Sequence, residues 1–448
     1  MPSDTRVTAD HEAATITIRK HAGVQTGGQT LGRPCAKHTD KPRGSDAHAP
    51  RVSCKRCFVP PGRRHMSGIL TLNTGSSSLK FGLYRDAPEP DLLLHGQVDE
   101  IGDNALLILN TGEERTKQKV AAPKPAAALE HVMQALAPHL SGLPIHGVGH
   151  RIVHGGMDFT KPTLLTGDVM AALARFNPLA PLHQPHNLAG VEAARTAFPD
   201  AVQVGCFDTA FHRGHPWVND TFALPRAFYD EGVRRYGFHG VSYEYITGVI
   251  KTTYPDLHKG RLVIAHLGNG ASMCAITNGK SVGSTMGFSA LDGLPMGTRC
   301  GQIDPGVVLY LLTQKGMAPL EVMEMLYSQS GLLGLSGITS DMRALLASDD
   351  PQAREAIDYY VFRARREIGA LTAVLGGIDA LIFCGGIGEN AAPIRSRIVE
   401  GLEYLNIKID PAQNLRNARD IGTGSTRVMV IPTDEERIIA RAVHAAIS

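Results

Sequence analysis

No run of the sequence approaches the roughly 18 consecutive apolar residues that a membrane helix needs, so a membrane-spanning chain is not expected. Cysteine is sparse and odd in number: seven residues, Cys35, Cys54, Cys57, Cys206, Cys274, Cys300 and Cys384. The last four are widely scattered, which fits reduced thiols of a cytosolic protein and not a secreted disulfide scaffold. No apolar segment follows Met1, so a secretory leader is not expected. Three familiar signatures are also missing. There is no G-x-x-x-x-G-K-[ST] loop, no G-x-G-x-x-G opening a helix and no H-E-x-x-H. P-loop kinases, Rossmann dehydrogenases and zincin proteases are therefore poor readings.

What is present is ordinary for a globular protein: 448 residues, 43% hydrophobic and 20% charged, long enough for two or three domains. The net charge of +2 sums unlike parts. Residues 1–65 carry 12 Lys+Arg against 5 Asp+Glu, a net of +7; the remainder carries 33 against 38, a net of −5. Residues 1–65 are rich in Gly, Pro, Thr, His and basic side chains and poor in large apolar ones, so they are expected to be a disordered basic arm. Cys54 and Cys57 have metal-ligand spacing, but an unstructured tail is the preferred reading. Met66, just ahead of the strand-like Ile69–Leu72, is expected to be the natural start. The acidic body is not expected to bind nucleic acid specifically.

From Met66 onward short strand-like runs alternate with helical patterns, which predicts an α/β fold. Strands are expected at 69–73, 79–84, 145–149, 201–206, 261–267, 271–276, 379–384 and 427–431. Helices are expected near 124–140, 187–197, 241–254, 305–315, 351–376 and 434–447. In the longest, Ile357, Val361, Ala364, Ile368, Leu371 and Leu375 recur every three or four residues and make one apolar face.

One internal echo stands out. Leu72–Lys80 reads as strand, tight Gly/Ser turn, strand, and His266–Ser272 repeats the plan nearly 200 residues later. Both turns expose backbone N–H groups and small hydroxyls, which predicts a duplicated phosphate-facing element. Other loops mix Gly with Asn, Arg, His and Asp, several just beyond an apolar strand, where ligands bind in open α/β sheets. Arginines that clamp oxyanions, and carboxylates that hold Mg²⁺ or orient a nucleophile, suit phosphoryl transfer. Singly, each loop has a plain structural reading. His154, His212 and His215 read as satisfied structural histidines, Cys206, Cys274 and Cys384 as core, and Cys300 as a neighbour of the site.

Asn73-Thr-Gly-Ser-Ser-Ser-Leu-Lys80, His150-Arg-Ile-Val-His-Gly-Gly156, Phe207-Asp-Thr-Ala-Phe-His212, Arg235-Tyr-Gly-Phe-His-Gly240, His266-Leu-Gly-Asn-Gly-Ala-Ser272 and Gly385-Gly-Ile-Gly-Glu-Asn390 occur in this order. Together they resemble the acetate kinase family over the whole body from Met66. The resemblance implies duplicated RNase H-like, actin-like domains around a nucleotide cleft. Domain I would be 66–211, completed by 436–448, and domain II, nucleotide-binding and dimer-forming, 212–435. It implies a cytoplasmic homodimer that carries out reversible transfer between ATP and acetate, giving ADP and acetyl phosphate, with Mg²⁺ or Mn²⁺. A propionate or butyrate kinase of the same fold is the alternative. Motif by motif, the resemblance gives Asp208, Arg151, His239, Arg299 and His183 as catalytic. It gives Arg151, Val153, Leu182 and Phe238 as acid-binding, with Pro295 nearby, and Asn73 and Glu435 as metal positions. The nucleotide would meet Lys80, the run His266, Leu267, Gly268, Asn269 and Gly270, the run Asp341, Met342 and Arg343, and the run Gly386, Ile387, Gly388, Glu389 and Asn390. Acetate is already ionised near neutral pH, its pKa being close to the 4.3 or so of Glu, so Asp208 reads as an orienting group and not a base. Gln302 departs from the acidic or Asn side chain usual in the family.

Overall fold

The computed structural model describes residues 67–448 apart from 76 and 77. The basic arm, the Cys54/Cys57 pair and the expected start at Met66 lie outside the described residues. Two sheets dominate. The first contains β1 (Gly68–Thr74), β2 (Ser78–Arg85), β3 (Asp91–Asp99), β4 (Gly102–Asn110), β5 (Arg115–Ala122), β6 (Ile145–Ile152), β7 (Thr163–Leu164) and β8 (Val202–Phe207), in the order β5-β4-β3-β2-β1-β6-β8-β7. The second contains β9 (Arg261–Leu267), β10 (Ala271–Thr277), β11 (Lys280–Ser284), β12 (Ala380–Cys384) and β13 (Arg427–Val430), in the order β11-β10-β9-β12-β13.

The sheets share one plan. In the first, β1 is antiparallel to β2 and parallel to β6, and β6 is parallel to β8. In the second, β9 is antiparallel to β10 and parallel to β12, and β12 is parallel to β13. This is the duplicated α/β arrangement the sequence implied. The two echoing segments are hairpins at equivalent places: Asn73 pairs with Lys80 across one turn, and Leu267 with Ala271 across the other.

Alternation along the strands of the second sheet builds two cores. Val263, Ala265, Met273, Ala275, Leu381 and Phe383 face Ile357, Tyr360, Val361, Ala364 and Ile368 of the helix Pro351–Leu375. Ile264, Cys274, Ile276, Ile382 and Cys384 face Tyr243, Ile246 and Ile250 of the helix Gly240–Thr253. Each Val, Leu, Ile, Phe or Met among these contributes about 1.5–3 kcal/mol on burial. The long helix begins where Asp350 caps the Gln352 amide at 2.8 Å ahead of Pro351, a start signal that needs no tertiary help.

On the first sheet the helix Glu435–Ile447 lies against β1, β6 and β8, with Ala440 and Val443 in one cluster with Ile69, Tyr84 and Val204. Glycines at alternate positions of β6 make the room. A Cβ on Gly147 would meet Val443 at 2.3 Å, and one on Gly149 would meet Ile439 at 2.3 Å. The same helix also touches the helix Gly240–Thr253, with Ile439 beside Val241. It therefore joins the supports of both sheets.

β3, β4, β5, β7 and β11 were not expected from the sequence; nor were the helices Gly167–Ala174 and Pro319–Ser328. Among the described residues, no helix is long and apolar enough to cross a membrane.

Candidate active site

The carboxyl ends of three neighbouring parallel strands in each sheet face one cleft of about 510 Å³. From the first sheet come Asn73 and Thr74 at the end of β1, Arg151 and Val153 at the end of β6, and Asp208 just after β8. From the second come Gly268–Gly270 after β9, Gly385 and Gly386 after β12, and Thr433 and Glu435 after β13. His183, at the head of the helix Gln184–Ala197, and Phe238, His239 and Arg299 on connecting loops complete the expected groups.

Register explains the central pair. β6 and β8 place Arg151 opposite Cys206 and Ile152 opposite Phe207, and the Asp208 amide donates to the Ile152 carbonyl at 3.0 Å. Arg151 then donates from Nε and Nη2 to the two Asp208 oxygens at 2.9 and 2.6 Å, a bidentate fork. Its Nη1 donates to the Asn73 amide oxygen at 3.3 Å, and Glu435 stands 3.6 Å from Nε. Burial works against the Arg151 charge, but Asp208 and Glu435 outweigh it and hold the guanidinium above its ordinary value. Burial raises the Asp208 carboxyl despite the pull of Arg151. Burial also opposes the Glu435 charge, yet Arg151, His266 and Lys80 hold that carboxyl below its usual value.

Arg299 arrives from the other side, its Nη1 donating to the Ala290 carbonyl at 2.7 Å. Burial lowers its pKa to about 10, with Arg151 adding to the effect. A Cβ on Gly270 would lie 2.8 Å from Arg299 Nη2 and 3.1 Å from His239 Nε2. The bare backbone there is what lets cation, imidazole and turn converge. His239 and His266 stack with ring centres 4.4 Å apart. Burial depresses both, His266 to about 4 and His239 well below its usual value, as it does His183, to about 4. Near pH 7 all three are neutral donors or acceptors, while the fixed positive charge belongs to the arginines.

The structure brings together Asn73, Lys80, Arg151, Val153, His183, Asp208, Phe238, His239, His266, Gly268, Asn269, Gly270, Arg299, Gly386 and Glu435 on one lining. Others stand behind or away from it. Leu267 is fully buried in the core and Met342 nearly so. Asp341 caps the Arg343 amide and pairs with the exposed Arg343 guanidinium at 2.8 Å, outside the lining. Leu182 is half-buried beside the lining residue His183. Glu389 accepts the Gly385 and Thr433 amides at 2.9 and 3.0 Å, so it ties the ends of β12 and β13 together. Asn390 donates to the Gly386 carbonyl, and Ile387 packs on the core. Behind this turn the fully buried Arg395 donates to the carbonyls of Gly388 and Glu389 at 2.8 and 3.0 Å.

Some contributors were not read from the sequence. Asn187 also lines the cleft; its amide oxygen accepts from Val153 N at 2.9 Å and its amide nitrogen donates to the Thr74 carbonyl, stitching β1 to β6. Ala290 and Glu436 line the cleft as well. Asn187 sits 34 residues from Val153 and 113 from Thr74, so no local pattern could disclose it. Three smaller expectations change. His154 is not fully satisfied: Nδ1 accepts from Gly156 N at 3.0 Å, but Nε2 is buried without a partner among the described residues. His215 likewise bonds Ser281 through Nε2 while Nδ1 has no partner there. Cys300 opens on a separate hollow with Gln302, Met325 and Tyr359. Gln302 accepts from Arg363 at 3.2 Å and also from Arg366, so its amide oxygen is turned to the long helix and away from the cleft.

Comparison with known proteins agrees with this architecture. The model of the acetokinase family matches residues 68–441. A relative from Methylocella silvestris, named acetate kinase, is 51% identical over 388 residues, covering 83% of this chain and 96% of the relative. Among solved structures, acetate kinase from Porphyromonas gingivalis superposes with a TM-score of 0.76 at 36% identity, covering 85% of this chain and all of that one. A propionate kinase from Francisella tularensis gives 0.78 at 36% identity, over 84% and 99%. With the family match spanning both sheets and every strand that feeds the cleft, the chain belongs to the acetokinase family.

Proposed function

We propose that this chain is a kinase that transfers a phosphoryl group reversibly and directly in line between ATP and acetate, giving ADP and acetyl phosphate. The observation that carries the reading is the meeting of Arg151 and Arg299, from opposite sides of one cleft, beside two glycine turns, Gly268–Gly270 and Gly385–Gly386, whose backbone lines it. Phosphoryl transfer through a loose transition state needs little else from a protein than positioning and charge neutralisation. Arg151, oriented by Asp208, and Arg299 stabilise the equatorial oxygens, with neutral His239 and His183 as further donors. Asp208 has both oxygens on Arg151, which suits an orienting carboxylate more than a base. The Gly268–Gly270 turn and Gly386 cradle the nucleotide phosphates with Lys80.

For a divalent ion, the oxygens with spare coordination capacity are Glu435, which meets Arg151 only at 3.6 Å, and the Asn73 amide oxygen. Two such oxygens suit Mg²⁺, which keeps several waters and leans on substrate phosphates. Held there, it would neutralise charge on the phosphates being parted.

Val153 and Phe238 supply an apolar wall near Arg151, which fits the methyl group of acetate. Propionate is the second reading, favoured by the similarity to a propionate kinase. We place the enzyme in the cytoplasm as a homodimer. The helix Pro305–Thr313 supports the dimer, since it buries none of its residues and leaves Leu309 60% and Tyr310 49% exposed. Leu309→Glu should shift the mass seen by analytical ultracentrifugation from two chains to one; an unchanged mass removes this face from the interface.

The deciding experiment is a hydroxamate assay with ATP, Mg²⁺ and acetate, propionate or butyrate in parallel. Acyl hydroxamate is expected, most rapidly from acetate. Product from none of the three overturns the kinase reading, and a preference for a longer acid overturns the choice of acetate.

A further inference from the structure

Behind His239 lies a polar chain for which phosphate contact gives no reason. His239 Nδ1 is 2.9 Å from Ser272 Oγ, and Ser272 Oγ also bonds the Tyr243 hydroxyl. Ser272 and Tyr243 are both fully buried. Helical spacing builds this arrangement: His239 precedes the first residue of the helix Gly240–Thr253, Tyr243 is one turn on, and its amide donates to the His239 carbonyl at 3.1 Å. Ser272 is brought in by β10, whose pairing sets it opposite His266. His239 itself holds a left-handed backbone, φ 59°, a conformation that persists in a non-glycine residue only where its surroundings impose it.

The chain can run in two directions. Among the described residues the Tyr243 hydroxyl has Ser272 as its one partner. If His239 Nδ1–H donated to Ser272, one hydroxyl proton, on Tyr243 or on Ser272 itself, would be buried with no acceptor among the described residues, which is costly. If Tyr243 donates to Ser272 and Ser272 to Nδ1, every proton in the chain has an acceptor. Nδ1 is then an acceptor, and the imidazole proton must sit on Nε2, the atom that lies beside Gly270 and the Arg299 guanidinium at the cleft.

We infer that Ser272 and Tyr243 are positioning residues whose one-way hydrogen-bond chain, Tyr243 to Ser272 to His239 Nδ1, fixes neutral His239 with its proton on Nε2, aimed at the phosphoryl group in transfer. The role of that proton rests on the kinase reading; the tautomer does not. A neutral ring with a fixed N–H donates to an oxyanion without adding a third charge beside Arg151 and Arg299.

The test is nitrogen-15 NMR on the full chain labelled at histidine, without ligand, with the His239 signals assigned through His239→Gln. Wild type should show Nε2 protonated and Nδ1 as acceptor. Ser272→Ala should release the ring into a mixture of tautomers, and Ser272→Thr, which keeps the hydroxyl, should restore the single form. Tyr243→Phe removes one oxygen without changing the core shape and should loosen the preference in the same sense. In the hydroxamate assay Ser272→Ala should lower kcat roughly 10- to 100-fold, the usual loss for an outer partner that orients a histidine, with KM for ATP unchanged. A proton on Nδ1 in wild type, or a tautomer unmoved in both variants, overturns the inference. A tautomer as stated, in a protein that makes no acyl phosphate from any of the three acids, overturns the kinase reading and leaves the chain of hydrogen bonds standing.

Discussion

Arg151 is the residue on which most of the cleft converges, since Asp208, Asn73 and Glu435 all meet its guanidinium. Arg151→Ala should therefore have two separable effects. Turnover in the hydroxamate assay should fall about 10³-fold or more, equivalent to at least about 4 kcal/mol of barrier. Asp208, 1% exposed, would also lose the partner of a buried charge, and thermal unfolding should reveal a loss of about 3–5 kcal/mol. An unchanged unfolding midpoint would mean that Asp208 finds another partner or takes up a proton. Val153 tests specificity. Val153→Ala opens space next to the acid, and the ratio of kcat/KM for propionate over acetate should rise about tenfold or more, within the 1–3 kcal/mol that a methylene is worth in an apolar pocket. A ratio that does not move would take Val153 out of the acid pocket. These two residues were legible because they sit in a motif of seven consecutive residues. Ser272 sits in a motif too, but its partner His239 lies 33 residues away, so its task is visible only in three dimensions.

Elements were legible wherever their pattern was set locally. The helix Pro351–Leu375 carries a cap, a proline at its first position and one continuous apolar face. The strands β1, β6, β8, β9, β10 and β12 are largely buried and read as apolar runs. β5 escaped notice for the opposite reason: Arg115–Ala122 is an edge strand with six of eight residues exposed, and its Lys and Arg side chains look like a loop. Such charges blunt an edge against pairing with other chains, so what protects the strand also hides it. β3 has only three of its nine residues buried and one of those is Gly96, which weakens the alternation that would mark it. The contact between β6 and the helix Glu435–Ile447 is a demanding one at this scale. Gly149→Ala places a methyl 2.3 Å from Ile439 and 2.8 Å from Val443, and should destabilise by about 1–3 kcal/mol as an overpacking change. Because the displaced helix also carries Glu435, kcat should drop with it. A variant of wild-type midpoint and rate would show that the helix can retreat without cost.

Across the molecule, seven histidines among the described residues are buried or half-buried and depressed: His150, His183, His215 and His266 to about 4, His154 to about 3, and His212 and His239 well below the usual value. In each case burial is the leading cause. The unfolded chain takes up these protons near pH 6.5 and the folded chain only near 4 or lower. Between those values the unfolded state holds more protons, so stability is complete above about pH 6.5 and falls as the pH drops toward 4. Asp208, Glu244 and Glu436 are raised and act in the opposite sense, but the histidines outnumber them. Each pH unit within the window costs such a histidine about 1.4 kcal/mol. Melting curves at pH 7, 6 and 5 should show a steadily falling midpoint. A midpoint that stays level to pH 5 would mean that these rings protonate in the fold. A count of 19 histidines gave no measure of this, because the size of the effect depends on how deeply each ring is buried.

The placement of the helix Glu435–Ile447 also bears on how the protein is made. β1 and β6 leave the ribosome long before the helix that covers them, since Ile152 precedes Glu435 by 283 positions. At about 5–20 residues per second, that is an interval on the order of 15–60 s. During it the bare stripe of Gly147 and Gly149 has nothing upon it, and Glu435, the second carboxylate beside Arg151 after Asp208, has not been synthesised. The first sheet can pair its strands early, yet the reactive cleft is closed only by one of the most non-local contacts in the chain, which is the kind that forms slowly. A newborn chain thus holds an incomplete cleft, and an uncovered apolar face on its first sheet, until the helix Glu435–Ile447 emerges.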